Sequence, residues 1–163
     1  GPERGGHKAT ANLAVRIVDT STGDIVAYAV RNNAGLAGDS QSAATAAGSR
    51  LGDLLGQDLG DQLFAYWKFR DEHGVEIALQ LVGVTSTRLN LRVEDILRAV
   101  PGVSAVEQRV FDRAGGVSEY VITTRESPTA LKSAVLRGFF ADADFAALEE
   151  ELAIGSTWVF RLP

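Results

Sequence analysis

The alternation of apolar and polar residues over positions 11–18 is the first structural signal in the chain. A two-residue period of this kind is typical of a half-buried strand. Turn-forming residues at 19–24 separate it from a second apolar run at 25–30, which predicts a β-hairpin. Residues 32–39 contain two glycines and two asparagines, and we expect them to form a loop.

A long amphipathic helix is predicted next, with Asp39 or Ser40 as its N-cap. Residues 64–70 either continue this helix or begin a strand, and we favour a helix that ends near residues 71–74, with Gly74 as its C-cap. Its apolar residues recur at intervals of three and four, which is the spacing of a helix with one buried face. They are Ala44, Ala47, Leu51, Leu54, Leu55, Leu59 and Leu63.

Four glycines, Gly48, Gly52, Gly56 and Gly60, follow one another at every fourth position of this helix. Each costs about 1 kcal/mol of helix propensity relative to alanine, so a compensating contact is expected. One interpretation is a smooth ridge that another backbone approaches, for example across a subunit contact. The other is ordinary packing on the domain's own sheet, or chance in a glycine-rich chain. The four glycines are therefore candidate interaction residues.

The second half of the chain predicts strands and helices in alternation. Their order is that of a ferredoxin-like βαββαβ sandwich, in which two helices cover four strands. The predicted class of the whole chain is therefore α+β, with a hairpin and a long helix preceding this sandwich. The elements of the second half are a strand at 75–82, a helix at 85–100, strands at 103–111 and 117–124, a helix at 127–139, a short acidic helix at 145–152 and a strand at 157–162.

The change of rhythm near residues 71–75 predicts a division of the chain there. We expect a hairpin-helix subdomain over residues 11–72 and a ferredoxin-like domain over residues 73–163. Residues 1–10 begin with Gly1-Pro2 and are rich in glycine. They are interpreted as a disordered leader left by a cleaved tag.

Composition narrows the classes of function. The formal net charge is −5, so no broad cationic surface is expected to bind nucleic acid. Cysteine is absent, which removes disulfides, thiolate nucleophiles and cysteine-based metal sites. No apolar run reaches the roughly 18 residues that a membrane-spanning helix needs.

Candidate catalytic and metal-binding groups are sparse. His7 lies in the glycine-rich leader and His73 in a turn, and neither has a neighbour that suggests a nucleophile or a metal triad. The acidic residues between Asp142 and Glu151 lack the spacing of a calcium loop. Gly115-Gly116 lies between two strands, where a hairpin turn is favoured over a phosphate cradle. We therefore expect neither catalysis nor a cofactor or metal site.

Residues 11–68 resemble a segment of bacterial envelope proteins of the curli-assembly CsgG, flagellar FlgT and penicillin-binding-protein-activator type. The similarity lies in a valine-rich strand ending at Asp19, the sequence Thr22-Gly23-Asp24, a second strand, a loop and an alanine-rich helix. This resemblance implies a periplasmic or outer-membrane-associated location, a lipoprotein or secreted parent, and a role in docking or oligomerisation.

The segment 96–106 is similar to a joint found in many ferredoxin-like domains, where a helix, Pro-Gly-Val and a strand follow one another, here at Pro101-Gly102-Val103. Such domains include ring-building secretion modules and amino-acid-sensing ACT domains. Heavy-metal domains share the joint, but they need cysteines that this chain lacks.

Together, these observations predict a noncatalytic interaction or oligomerisation module of a bacterial envelope assembly protein. Its partners would be envelope proteins or further copies of the chain. The alternative is an ACT-like sensory domain, in which Pro101-Gly102-Val103 and Thr85–Thr87 would face a small-molecule ligand between paired domains.

Overall fold

The computed structural model describes residues 5–163 and has the predicted α+β class. Seven strands and three helices follow one another over these residues, and a 3₁₀ turn, Ala143–Phe145, lies between the third helix and the sixth strand. The elements are β1 (His7–Val18), β2 (Ile25–Ala37), α1 (Ser40–His73), β3 (Val75–Val82), α2 (Thr87–Ala99), β4 (Val103–Asp112), β5 (Val117–Thr124), α3 (Pro128–Phe140), β6 (Glu149–Ile154) and β7 (Thr157–Arg161).

The described chain forms two compact units that divide inside α1, between Lys68 and Phe69. The sequence placed this division a few residues later, at the end of the helix. The first unit contains most of the hairpin and α1 up to Lys68, and the second contains residues 69–163 together with the hairpin turn Thr20–Gly23.

In the first unit, β1 and β2 form a two-stranded antiparallel sheet, and α1 packs on one of its faces. The buried side chains of α1 form a narrow stripe, Ala43, Ala47, Leu51 and Leu55. Leu54, which the sequence placed on the buried face, is 39% exposed. Two strands cover less of a helix than a wide sheet does, so only the central stripe is removed from water.

Gly35 allows the hairpin and helix to come close together. A Cβ at this position would collide with the carbonyl oxygen of Ala43 and lie 2.6 Å from the amide nitrogen of Ala47. The side-chain amide of Asn33 also donates a hydrogen bond to the Ala47 carbonyl oxygen, at 3.3 Å. The predicted loop at 32–39 is therefore wrong over most of its length, because β2 continues to Ala37. Within this strand, Gly35 and Asn33 make the contacts with α1 instead of forming a turn.

Both predicted ends of α1 are confirmed. Asp39 accepts hydrogen bonds from the Ser42 amide and the Ser42 hydroxyl, at 2.8 and 2.7 Å, and these bonds hold the pKa of the Asp39 carboxyl below its ordinary value. Gly74 takes a φ of 79°, and its amide donates to the Arg70 carbonyl oxygen at 2.8 Å. The left-handed conformation ends the helix there.

The second unit is a five-stranded sheet in the order β4-β5-β3-β7-β6. Four of these strands, with α2 and α3, are the predicted βαββαβ elements. The fifth strand, β6, takes the second half of the segment that was predicted as a short acidic helix, so that prediction is wrong. Because β6 forms an antiparallel hairpin with β7, it reverses the chain direction, and β7 consequently pairs parallel to β3.

The core of the second unit lies between the sheet and its two helices. Central strand residues such as Ile77, Leu79 and Ile122 are at most 1% exposed. Phe139 of α3 packs against Phe145, with ring centroids 5.2 Å apart, and against Phe160 of β7, at 6.5 Å. The predicted inward face of the last strand is confirmed, since Trp158 and Phe160 are buried.

Strand β1 begins at His7, so residues 7–10 belong to the hairpin and not to a disordered leader. The first four residues of the predicted leader lie outside the described part of the chain.

Candidate interaction surfaces

The two histidines stand apart from any cluster of reactive groups. His7 is an exposed residue at the start of β1. His73, the last residue of α1, stacks on Phe69 with ring centroids 4.3 Å apart. Its Nδ1 lies 3.0 Å from the Phe69 carbonyl oxygen. These contacts hold the imidazole against its own helix.

The acidic residues near the C-terminus are distributed among separate ion pairs. Asp142 accepts from Arg92 Nε at 2.6 Å and from the Asp144 amide at 2.9 Å. The amide bond and then Arg92 hold the pKa of Asp142 below its ordinary value. Glu150 pairs with Lys132 at 2.9 Å. Within residues 5–163, no group of three or more histidine or acidic side chains could hold a metal ion.

The outer face of the hairpin, which we define as Tyr28, Val30 and Leu36, presents apolar side chains to solvent. These residues are spaced by even numbers along β2, and they are 56%, 50% and 74% exposed. Their register partners in β1 are Arg16, Ala14 and Lys8. An apolar row with basic residues near both ends suits a protein partner better than water.

The four glycines predicted as a ridge lie on the exposed side of α1. Gly48, Gly52, Gly56 and Gly60 would each accept a Cβ with no other atom of the described chain within 4 Å, apart from near neighbours in the helix. Packing on the domain's own sheet therefore does not explain their spacing. The structure brings the four together along one side of α1 and leaves them uncovered within residues 5–163.

The free edge of β2 is closed at one point by a side chain from α1. Gln62 Oε1 accepts from the Tyr28 amide at 3.0 Å, and Gln62 Nε2 donates to the Tyr28 carbonyl oxygen at 3.1 Å. A glutamine amide thus replaces the hydrogen bonds that a neighbouring strand would make. This bidentate contact also shows that the Tyr28 backbone groups point away from β1.

In the second unit, the face of the sheet opposite the helices carries a shallow depression of about 250 Å³. Ala78, Val121 and Val159 form part of its lining, and Arg109 stands beside it. Gln80 Nε2 donates to Glu119 Oε1 at 3.1 Å across the same face. The mixture of small apolar and paired polar groups offers no reactive centre.

The two positions that an ACT-like site would combine are far apart in this unit. Thr85–Thr87 precedes or begins α2, and Pro101 follows its end. A helix of 13 residues extends about 20 Å at 1.5 Å per residue.

An apolar groove of about 390 Å³ lies between α2 and α3, where Pro101, Ile96 and Ala134 form part of its lining.

A buried polar network that the sequence did not indicate connects α2 to β5. Asn90, which is 4% exposed, accepts at Oδ1 from the Ser118 hydroxyl at 2.7 Å and from the Tyr120 hydroxyl at 2.8 Å. Burial raises the pKa of Tyr120 to about 12. The amides of Asn90 and Gln108 exchange two longer bonds of 3.3 Å. The sequence of an amphipathic helix does not show that an asparagine such as Asn90 is buried, because its burial depends on hydrogen-bond partners from distant segments.

No helix within residues 5–163 combines the length and apolar character that crossing a membrane requires. Comparison with protein-family models, with curated proteins and with solved structures gave no match.

Proposed function

We propose that this chain is a noncatalytic protein-protein interaction module of a bacterial cell-envelope assembly protein, located in the periplasm or at the outer membrane. The observation that carries the proposal is the outer face of the hairpin. Tyr28, Val30 and Leu36 are each at least half exposed, on a face that they share with the exposed Asn32 and Ala34. Large apolar side chains exposed on one face mark interaction sites.

The charges around this face favour a protein partner over a nucleic acid. Arg16 and Lys8 are opposite Tyr28 and Leu36 in the strand register, but the chain as a whole carries a net charge of −5. Two basic side chains are too few for phosphate-backbone binding, while an apolar patch with a polar rim is the usual anatomy of a protein interface. The envelope location rests on the resemblance of residues 11–68 to CsgG-type and FlgT-type proteins.

Site-specific substitution tests the proposal. Replacing Tyr28, Val30 and Leu36 by serine should abolish chemical cross-links between this protein and envelope proteins in intact cells. The matched control replaces Leu91, Phe140 and Ile154, which have similar exposed fractions of 56%, 50% and 70% but lie in the second unit. Circular dichroism of both triple variants should show an unchanged fold.

Two outcomes would contradict the proposal. One is a cross-linking pattern that survives in the hairpin variant and disappears in the control. The other is recovery of the protein from the cytoplasmic fraction with no cross-linked partner. A thermal-shift screen with free amino acids examines the sensory alternative, because a bound ligand stabilises the folded state by about 2.7 kcal/mol at a hundredfold excess over Kd.

A further inference from the structure

Strand β1 has an outer edge whose backbone groups pair with no other strand of residues 5–163. Among residues 5–163, β1 pairs only with β2, in a sheet of two strands. Arg16 lies opposite Tyr28, whose amide and carbonyl point away from β1 toward Gln62. Facing residues of an antiparallel pair share one bonding orientation, so the amide and carbonyl of Arg16 also point outward.

The same orientation recurs at every second residue of β1. The register is regular from His7 to Ile17, and its only shift lies between Ile17 and Val18. The outward-pointing residues are therefore Lys8, Thr10, Asn12, Ala14 and Arg16, all with exposed side chains. They form a row of donors and acceptors that another strand can pair with.

This edge carries little of the protection that proteins usually give to an exposed strand. Edge strands are commonly protected by prolines, by charged side chains, lysine especially, or by bulges, and the two charged side chains of the outward-pointing row, Lys8 and Arg16, lie near its ends. From His7 to Val18 there is no proline, the bulge lies at the very end, and residues 9–15 are uncharged. The hairpin is supported by α1, which packs on one of its faces, and its β1 edge can still accept a further strand.

We propose that β1 pairs antiparallel with β1 of a second copy of this chain, so that two hairpins form one four-stranded sheet. The inference rests on the proposed interaction function and names a partner for it. The twofold axis passes at Leu13. Each hairpin keeps its own α1 on the same face of the joined sheet, and the two outer faces become one continuous surface.

Two registers would pair nearly the whole of β1 with β1 of the second copy, one with the axis at Asn12 and one with the axis at Leu13. Repulsion between like charges distinguishes them. An axis at Asn12 pairs residues 7–17 of each copy and puts Lys8 opposite the second copy's Arg16, so two like-charge contacts arise. An axis at Leu13 pairs residues 8–18 and puts Thr10 opposite that arginine. Like charges directly opposite each other destabilise a strand pair. The register centred at Leu13 avoids these like-charge contacts and places Leu13 opposite Leu13 of the second copy.

A cysteine cross-link tests the pairing directly because the natural chain contains no cysteine. Leu13 would form a non-hydrogen-bonded pair with its copy, with Cα atoms about 4.5 Å apart, which lies within the range of a disulfide. Under mild oxidation, the L13C variant should convert to a covalent dimer. The control L36C carries its thiol on β2 at a more exposed position, 74% against 46%, and should remain largely monomeric.

A charge pair at position 10 tests the register. T10E places a carboxylate opposite the second copy's Arg16 at two symmetric sites and should lower the dimer dissociation constant by about 2- to 30-fold, whereas T10K should raise it by a similar factor. With an axis at Asn12, position 10 would face Ala14 instead. Equal dissociation constants for the two variants in analytical ultracentrifugation would therefore overturn the Leu13-centred register.

Asn12→Pro tests the edge without a thiol. Asn12 has its amide directed outward, so proline removes a donor from the free edge and none from the β1-β2 ladder. Circular dichroism should be unchanged while sedimentation shows loss of the dimer. A natural chain that stays monomeric at all concentrations, with L13C no more reactive than L36C, overturns the pairing. If cross-links to envelope proteins persist in that case, the proposed function stands, and if they are absent too, both fall.

Discussion

Replacing Asn90 by alanine provides the sharpest test of how the second unit is held together. The substitution removes the Oδ1 atom that accepts hydrogen bonds from Ser118 and Tyr120 at 2.7 and 2.8 Å. Ser118 is 0% exposed, so its hydroxyl loses this partner inside the core. The Tyr120 hydroxyl keeps an alternative, because it also lies 3.0 Å from the Asn90 backbone carbonyl oxygen.

The expected loss of stability follows from these partners. Leaving the Ser118 hydroxyl unsatisfied costs about 1–3 kcal/mol, and each weaker lost bond about 0.5–1.5 kcal/mol. The higher helix propensity of alanine offsets roughly 0.5 kcal/mol. The free energy of unfolding should therefore fall by at least about 2 kcal/mol. Leu91→Ala, one position further along α2 at a 56% exposed site, should change it by less than about 0.5 kcal/mol.

Urea denaturation measures this difference if the fluorescence comes from the second unit alone. Trp158 is 2% exposed in that core, while Trp67 is 56% exposed on α1. A Trp67→Phe background therefore leaves Trp158 as the only tryptophan. The midpoint of its transition reports the stability of the second unit.

The double variant Asn90→Ala/Ser118→Ala decides whether the unsatisfied hydroxyl is the cause. Removing that hydroxyl should recover about 0.5–3 kcal/mol relative to the sum of the two single variants. Strict additivity would refute this account of the network, as would an Asn90→Ala loss no larger than that of Leu91→Ala.

Three further outcomes are expected from other contacts. Gly35→Ala should destabilise the first unit by about 1–3 kcal/mol, because the added Cβ meets the backbone of α1. Gly52→Ala has open space around it and should stabilise the helix by about 1 kcal/mol. Thermal melts followed by circular dichroism distinguish the two effects. Because burial raises the pKa of Tyr120 to about 12, the folded state keeps a proton that the unfolded state loses above pH 10. Stability should thus decline between pH 10 and 12 by up to about 1.4 kcal/mol per pH unit, and Tyr120→Phe should flatten that decline. Asp142 has its pKa lowered in the folded protein, so its stabilisation is present above the unfolded pKa and disappears as the pH falls through the folded one. The urea midpoints of the natural chain and Asp142→Asn should differ at pH 6 and converge near pH 2, and a constant gap would contradict the ion pair with Arg92.

The second unit was the more predictable part of the fold because β3 is strongly apolar and clear turn and cap signals separate its other elements. Along β5, every second residue is buried, and the sequence predicted this strand as the return of a hairpin after the turn at residues 113–116. The pattern did not reveal that Ser118 and Thr124 would be among the buried residues. Their burial depends on partners from distant segments, Asn90 in one case and the Gly102 carbonyl oxygen in the other.

The error at β6 came from local composition. Glu149-Glu150-Glu151 favours a solvated helix, but tertiary contacts select a strand. Glu151 receives two hydrogen bonds from the Arg161 guanidinium, at 3.0 and 3.1 Å, and Glu150 pairs with Lys132. Strand preference depends on the neighbours that a residue meets across the sheet, and these neighbours are not visible in a local window.

The candidate surfaces were predicted only in part. The glycine spacing was visible in the sequence because it follows the helical period. The structure leaves all four glycines exposed, and their role as interaction residues stays a prediction. The outer face of the hairpin was missed because residues 32–39 were assigned to a loop. Leu36 becomes part of an apolar row only when β2 continues to Ala37, and Gly35 permits that continuation through its close approach to α1.

The place of β7 in the sheet has a consequence for the order in which the second unit assembles. Ala78 of β3 pairs with Thr157 of β7. The central strand β3 therefore lacks one of its two neighbours until a segment 79 positions later has been synthesised. Pairings this distant close slowly. A nascent chain that has exposed β3, β4 and β5 can join those three, yet Trp158 and Phe160 are still missing from its interior. Until these two residues are added, Leu79 and Leu81 lack part of their core packing. During this interval the nascent unit exposes the most apolar surface to a chaperone.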